Sequence, residues 1–346
     1  MELAVNLSND YTVMRGKEGG KAKNLMKLIS HSFNVPEGFF VTTDAYNLFL
    51  KENNLYELIE SMRTPIENTQ YLHFDHYAEK IRRAIKQSKM PQVVIDQIRK
   101  QYELLSCQTY VVRSSAIAED LEDASFAGQY ESYLNLKTIE DIIIHIKNVY
   151  ASLWTSRALS YRFKNKLSYQ DVQIAVIVQK MVPAKAAGVL FTANPLSGDK
   201  SEILIESNYG LGESVVSGIS TPDHFILKCH PKKPSTFKIV TKKMGEKEYC
   251  IHPLISEKEC GVQKILTSRE QASIYSLSDE NIISLGQVGK KIEHAFNSPQ
   301  DIEWAIDGNN EVWILQTRPI TALERFESPI IAMEDLKGIR KNKGSK

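Results

Sequence analysis

The sequence predicts a mixed helix-and-strand protein, built either as two domains or as one domain of two lobes, and three observations carry that reading. The chain has 346 residues, long enough for a substantial core, with 42% hydrophobic and 25% charged residues. Its apolar pattern changes along the chain: helix-like over 55–105 and 138–165, strand-like over 172–181, 188–195, 203–207 and 301–318. Between a buried strand and the next apolar segment stands Met181-Val182-Pro183, the best candidate for a hinge between lobes.

Composition excludes several classes. A net charge of +1 gives no global pull towards nucleic acid, so any phosphate binding must come from a local cluster. Cys107, Cys229, Cys250 and Cys260 show no CxxC spacing, which points to thiols in a reducing cytosol rather than disulfides or a zinc site. The N-terminus MELAVNLSND lacks the basic and apolar regions of a signal peptide, and no run of about 18 apolar residues exists to span a membrane. A cytoplasmic protein is expected.

In chain order, Glu18-Gly19-Gly20-Lys21-Ala22-Lys23 places a glycine pair before an expected helix over 21–29. Glycines let backbone amides approach a phosphate, a helix N-terminus adds partial positive charge, and Lys21 adds a full one. The spacing is not that of a Walker A loop, and a plain helix start with a surface lysine is the commoner source of such a segment. A turn at Val35-Pro36-Glu37-Gly38 then leads through a short strand to a Thr-capped helix over 44–50. Residues 55–105 read as helical, interrupted at Pro65 and Pro91; His73 and His76 have no carboxylate or cysteine pattern to complete a metal site.

Tyr110-Val111-Val112-Arg113-Ser114-Ser115 is a buried strand that delivers Arg113 and two hydroxyls to its end. The following 123–132, with Gly128, Gln129 and Ser132, has the small residues and hydroxyls of a flexible lid over phosphates; a plain turn between strands is the alternative. Residues 138–165 read as one long amphipathic helix, with Ile142, Ile146, Val149, Leu153 and Leu159 as its buried stripe. The strand over 172–181 leaves through Gln179-Lys180-Met181, where backbone groups of a crossing strand can pair with an adenine edge.

Beyond the hinge, the strand over 203–207 runs into Asn208-Tyr209-Gly210-Leu211-Gly212-Glu213. The third glycine of a dinucleotide fingerprint is wrongly spaced and no βαβ unit follows, so that site is excluded. Thr221-Pro222-Asp223-His224-Phe225 opens a further strand, 228–260 is polar with Lys242, Lys243 and Lys247 as a solvated face, and 281–296 is a helix. The most informative stretch is last. Two alternating runs, 301–306 and 312–318, flank the turn Asp307-Gly308-Asn309-Asn310 and predict a β-hairpin. Asp301 and Glu303 share one strand face, as do Gln316 and Arg318. Two carboxylates, an amide oxygen and a guanidinium at one hairpin end are a set able to hold Mg²⁺ and a polyphosphate. The same set fits a solvated face with cross-strand pairs.

Taken together, GGKAKNL, VPEGFFVTTDAY, VVRSSAIAED, SFAGQYES, VIVQKMV, GVLFTANP, YGLGES and DIEW…ILQTRP, in that order, resemble the N-terminal ATP-binding domain of phosphoenolpyruvate synthase and pyruvate phosphate dikinase, which rifampin phosphotransferase shares. The resemblance covers about residues 15–322. It implies an α+β ATP-grasp fold with ATP held between two lobes, 1–181 and 182–325; the composition of 326–346, which ends in KGIRKNKGSK, predicts a basic, disordered tail. The resemblance puts Lys21, Arg113 and Arg318 on ATP phosphates, adenine at the strand exit beside Gln179 and Met181, and Mg²⁺ on Glu303 and Gln316 with Asp301 adjacent. Gly128, Gln129 and Ser132 fall in the lid, and Glu213 matches a nucleotide-contacting acid, to ribose.

The resemblance also has a gap. Family members continue into a small domain with a phosphorylatable histidine in a Thr-x-x-His context, and most add a substrate domain; none of the eight histidines here sits in such a motif. The expected activity is a Mg-dependent phosphotransferase passing the β-phosphoryl of ATP to an acceptor, with AMP as product. The phosphohistidine carrier would lie on another polypeptide or a missing region. A stand-alone kinase for a small molecule (an antibiotic, amino acid or guanidine compound) and a non-catalytic nucleotide-binding subunit are the other two readings. No nucleic-acid or membrane partner is expected.

Overall fold

A computed structural model describes residues 1–8, 16–68, 74–116, 132–164, 173–230, 233–256 and 259–320. The chain divides into two compact units, one of Met1–Pro183 with His252–Lys264, the other of Ala184–Ile251 with the chain from Ile265 onward. Helices and antiparallel strands mix in it, as α+β implies. Among the described residues no helix is long and apolar enough to cross a membrane.

The first unit runs β1 (Ala4–Asn6), α1 (Gly19–Ser30), β2 (Gly38–Val41), α2 (Thr43–Glu52), α3 (Leu55–Asn68), α4 (Phe74–Gln87), α5 (Gln92–Leu105), β3 (Tyr110–Ala116), β4 (Ser132–Leu136), α6 (Ile139–Ser152), α7 (Ser156–Lys164) and β5 (Ile174–Lys180). Its sheet has the order β1-β2-β5-β3-β4. Helices pack against the interior strand β5, which is buried from Ile174 through Gln179. Local chemistry sets several helix starts: Thr42 caps α2 by accepting the Ala45 amide, and Thr138 with Asp141 makes a capping box on α6.

Two helix expectations need correction. The long helix over 138–165 is two, because the chain breaks after Ser152 and restarts when Thr155 Oγ1 accepts the Ala158 amide at 3.2 Å. The break seats Trp154 in the core, where its Nε1 donates to the Tyr46 hydroxyl at 3.1 Å; the predicted stripe Ile142, Ile146, Val149, Leu153 and Leu159 is buried throughout. Pro65 does not interrupt its helix either, since α3 continues to Asn68. A proline removes one backbone donor, and the bonds on either side can carry the helix past it. Pro91 does mark a boundary, as the cap residue of α5.

From Ala184 the chain runs β6 (Ala184–Phe191), β7 (Glu202–Tyr209), α8 (Glu213–Val216), β8 (Asp223–His230), β9 (Lys233–Lys243), β10 (Tyr249–Pro253), β11 (Val262–Leu266), α9 (Arg269–Ala272), α10 (Asp279–Phe296), β12 (Gln300–Asp307) and β13 (Val312–Pro319), all in the second unit except the 252–264 part of β10 and β11. β10 and β11 pair with each other, and the rest form one antiparallel sheet in the order β13-β12-β6-β7-β8-β9. Cross-strand partners point to the same face, so the register sorts every side chain. Leu190, Ile203, Ile205, Phe225, Leu227, Ile302 and Trp304 share one face, all at most 1% exposed, and α10 covers it. Gly286 of α10 lies where a Cβ would meet the Leu227 side chain at 2.9 Å, so a side chain there would make Leu227 shift. Fully burying each large apolar side chain contributes about 1.5–3 kcal/mol.

Lys247 is a further correction. Lys242 and Lys243 are exposed as expected, but Lys247 is fully buried. It lies in a turn with left-handed backbone (φ 45°), and its Nζ donates to Asp223 Oδ1 at 2.6 Å and to the Gly245 carbonyl at 3.1 Å. A lysine on a strand would have alternated outward, whereas this one is turned inward on an acid strong enough to hold it.

Candidate functional site

The first unit brings Lys21 and Arg113 to one corner. Lys21 is the third residue of α1, and its Nζ lies 3.4 Å from Ser114 Oγ on β3. Arg113 sits one residue earlier on β3, between Ser132 of β4 and Ile177 of β5, so Ser132 opens its strand directly across from the guanidinium-bearing residue. The first glycine of the pair has a structural cause: Gly19 has φ +71°, and a Cβ there would fall 2.0 Å from the Ser115 carbonyl oxygen. Gly128 and Gln129 lie outside the described residues.

At the exit of β5, Gln179 is 4% exposed and its Nε2 donates to the Pro36 carbonyl at 2.9 Å. The side chain therefore holds the 36–38 turn. The Lys180 and Met181 amides donate to Glu37 and Thr109 carbonyls at 2.9 and 3.0 Å. Those two amides are therefore already engaged within the protein.

The second unit gathers the hairpin residues on the face away from α10. Glu303 pairs with Gln316 and Asp301 with Arg318, and a bulge follows between Glu303 and Trp304. Arg318 grips Asp301 Oδ2 through Nε and Nη2, both at 2.8 Å. Burial pushes the Asp301 carboxyl above the usual aspartate range; Arg318 opposes that rise and Glu303 adds to it. The hairpin tip is fixed by Asp307, whose Oδ1 accepts the Asn309 and Glu311 amides at 2.9 and 3.0 Å while Oδ2 accepts Trp313 Nε1 at 3.1 Å. Glu213 is the first residue of α8, which is tied to the same face where Asn208 Nδ2 donates to Ser214 Oγ at 3.2 Å. The residue is exposed, yet partial burial of its carboxyl raises its pKa.

The register adds residues that sequence reading missed. One row across the sheet reads Gln316, Glu303, Val189, Glu206, His224, Lys243. Glu206 and His224, with Nδ1 3.6 Å from Oε1, thus stand on the same face as the hairpin acids. Their signal in sequence is only that a polar residue alternates with apolar ones. Among the described residues no three His, Cys, Asp or Glu side chains converge as a metal-binding group. Glu303 and Gln316 nonetheless offer oxygen donors of the kind Mg²⁺ takes.

The pyruvate phosphate dikinase AMP/ATP-binding domain family matches residues 17–337. A probable phosphoenolpyruvate synthase of Archaeoglobus fulgidus is 38% identical over 89% of this chain and 40% of that protein. The phosphoenolpyruvate synthase of Pyrococcus furiosus is 35% identical over 88% of this chain and 42% of its own. The rifampicin phosphotransferase of Bacillus subtilis is 35% identical over 88% of this chain and 34% of its own. The chain thus spans less than half the length of these relatives. It belongs to the pyruvate phosphate dikinase AMP/ATP-binding domain family.

Proposed function

We propose that the chain is the nucleotide-binding part of a Mg-dependent phosphotransferase, a domain of the ATP-grasp type. The observation that carries this is the pairing of Glu303 with Gln316 and of Asp301 with Arg318 on the open face of the sheet. Lys21, Arg113 and Arg318 bind the phosphates, with Asp301 orienting Arg318. Glu303 and Gln316 hold Mg²⁺, which when bound offsets charge on the transferring phosphoryl group. The exit of β5 at Gln179–Met181 receives adenine, Glu213 a ribose hydroxyl, and Gly128, Gln129 and Ser132 belong to the lid that excludes water.

The acceptor attacks the β-phosphorus, the bond to the oxygen shared with the α-phosphate breaks, and AMP leaves; the γ-phosphate of the resulting pyrophosphorylated acceptor then passes to water or a second acceptor, leaving the β-phosphoryl group behind. A histidine on a separate region or polypeptide is the acceptor. A small-molecule acceptor is the second reading, favoured by the 35% identity to a protein named rifampicin phosphotransferase. The test is incubation with Mg-ATP, with and without candidate acceptors, following AMP, ADP and phosphate. AMP formed only with a histidine-bearing partner supports the first reading, and AMP or ADP formed with a small molecule the second. Nucleotide binding without turnover in every mixture removes both.

A further inference from the structure

The corner between α1 and β3 carries an inference that rests on the nucleotide reading and deepens it. α1 lacks a side-chain cap of its own: Glu18 occupies the cap position with no side-chain bond into the first turn. In an ordinary first turn the amide four residues on donates to the cap carbonyl. Here a hydroxyl from a distant strand bridges those two groups, since Ser115 Oγ accepts the Ala22 amide at 3.1 Å and donates to the Glu18 carbonyl at 2.9 Å. Ser115 and Ala22 are both fully buried. Gly19 holds the same contact from the other side, because any Cβ would strike the Ser115 carbonyl.

The two residues proposed to bind phosphate flank this stitch. Lys21 immediately precedes Ala22, and Arg113 lies two residues before Ser115, on the same face of β3. The pair belongs to different elements, and nothing in either element alone sets the distance between them. A lysine on an unstitched first turn would sample several positions, and a triphosphate would have to select one of them.

We infer that Ser115 is a positioning residue for polyphosphate: its hydroxyl fixes the first turn of α1 on β3 and so sets the spacing of Lys21 and Arg113. It touches no phosphate itself. Its effect should therefore grow with the number of phosphates on the ligand and vanish for adenosine.

The test measures dissociation constants of ATP, AMP and adenosine by calorimetry on the full 346-residue chain, for wild type, Lys21→Ala, Ser115→Ala and Ser115→Cys, with thermal midpoints alongside. Ser115→Cys keeps nearly the same volume and weakens both hydrogen bonds, so it serves if Ser115→Ala does not fold. Expected is a loss of about tenfold or more for ATP, less for AMP, and adenosine within about twofold of wild type. Combining Lys21→Ala with the Ser115 variant should add little to the loss from Lys21→Ala alone, as expected when two residues act through one contact. ATP affinity unchanged in the folded Ser115 variants, or equal losses for ATP and adenosine, overturns the inference while Lys21→Ala still reports on the nucleotide site. If wild type binds no ATP, or Lys21→Ala leaves ATP binding intact, the nucleotide reading falls and this inference with it.

Discussion

Asp223 with Lys247 and Asp301 with Arg318 are both carboxylate–cation pairs of the six-stranded sheet, and they stand on opposite faces of it. Asp223 pairs across the sheet with Ser207, on the face that α10 covers, and both partners of its ion pair are fully buried. Its oxygens are saturated: besides Lys247 they accept the Gly245 amide at 2.9 Å, the Ser276 amide at 2.7 Å and the Ser276 hydroxyl at 2.8 Å. Asp301 stands on the other face, where its arginine is 53% exposed. The same chemistry has two uses. A buried pair with every lone pair engaged is a tie in the fold, whereas a pair with one side in solvent keeps donors to turn on a ligand.

That contrast can be broken most directly by removing the buried acid. Asp223→Ala should destabilise the protein by about 3–5 kcal/mol, seen as a fall of roughly 6–20 °C in the thermal midpoint, because it strands a charged lysine in the core. Lys247→Met should cost less, since Asp223 keeps three donors while Lys247 alone would keep only the Gly245 carbonyl. Equal or reversed losses would show that the Ser276 bonds do not support the acid.

On the open face the effect should move from stability to chemistry. Glu303→Ala and Arg318→Ala are each expected to lower ATP turnover by about 10²-fold, the loss of one charge-stabilising group, with thermal midpoints within about 2 °C of wild type. Near-normal rates in the folded variants would remove the proposed metal and phosphate end.

The smallest effect sharpens the comparison from the side of pH. The Thr221 amide, donating at 2.8 Å, leads a set of bonds with Ser220 and Thr221 hydroxyls that lowers the Glu248 pKa from 4.5 to about 2. A lowered acid contributes stability above its unfolded pKa and loses it as pH falls through the folded one. The stability advantage of wild type over Glu248→Gln should therefore be full at pH 7 and shrink between pH 4.5 and about 2. An advantage independent of pH would mean that the charge of Glu248 adds nothing.

Much of the hairpin was legible before any fold was known. The alternating runs 301–306 and 312–318 about the Asp307–Asn310 turn predicted the hairpin, and the observed register pairs Asp301 with Arg318 and Glu303 with Gln316. The glycine pair before Lys21 was legible for the same reason, since local patterns announce where helices begin, whereas Arg113, expected at a strand end, lies in the middle of β3, which continues to Ala116. The break in 138–165 was not, because both halves keep a helical period and only the seating of Trp154 beside Tyr46 separates them. Lys247 was misread because a lysine in a polar segment carries no mark of burial until an acid such as Asp223 is placed under it.

By itself, then, the sequence determined the elements, the hairpin and the residue types that suit a nucleotide and a cation, because those depend on neighbours along the chain. The tertiary structure alone decided which of them share a face. The row from Gln316 through Glu303, Val189 and Glu206 to His224 joins five strands, and the bond from Ser115 to the Glu18 carbonyl at the start of α1 spans 97 residues. Register between distant strands is set by the burial of the opposite face under α10, a sum over many apolar contacts that no single stretch contains.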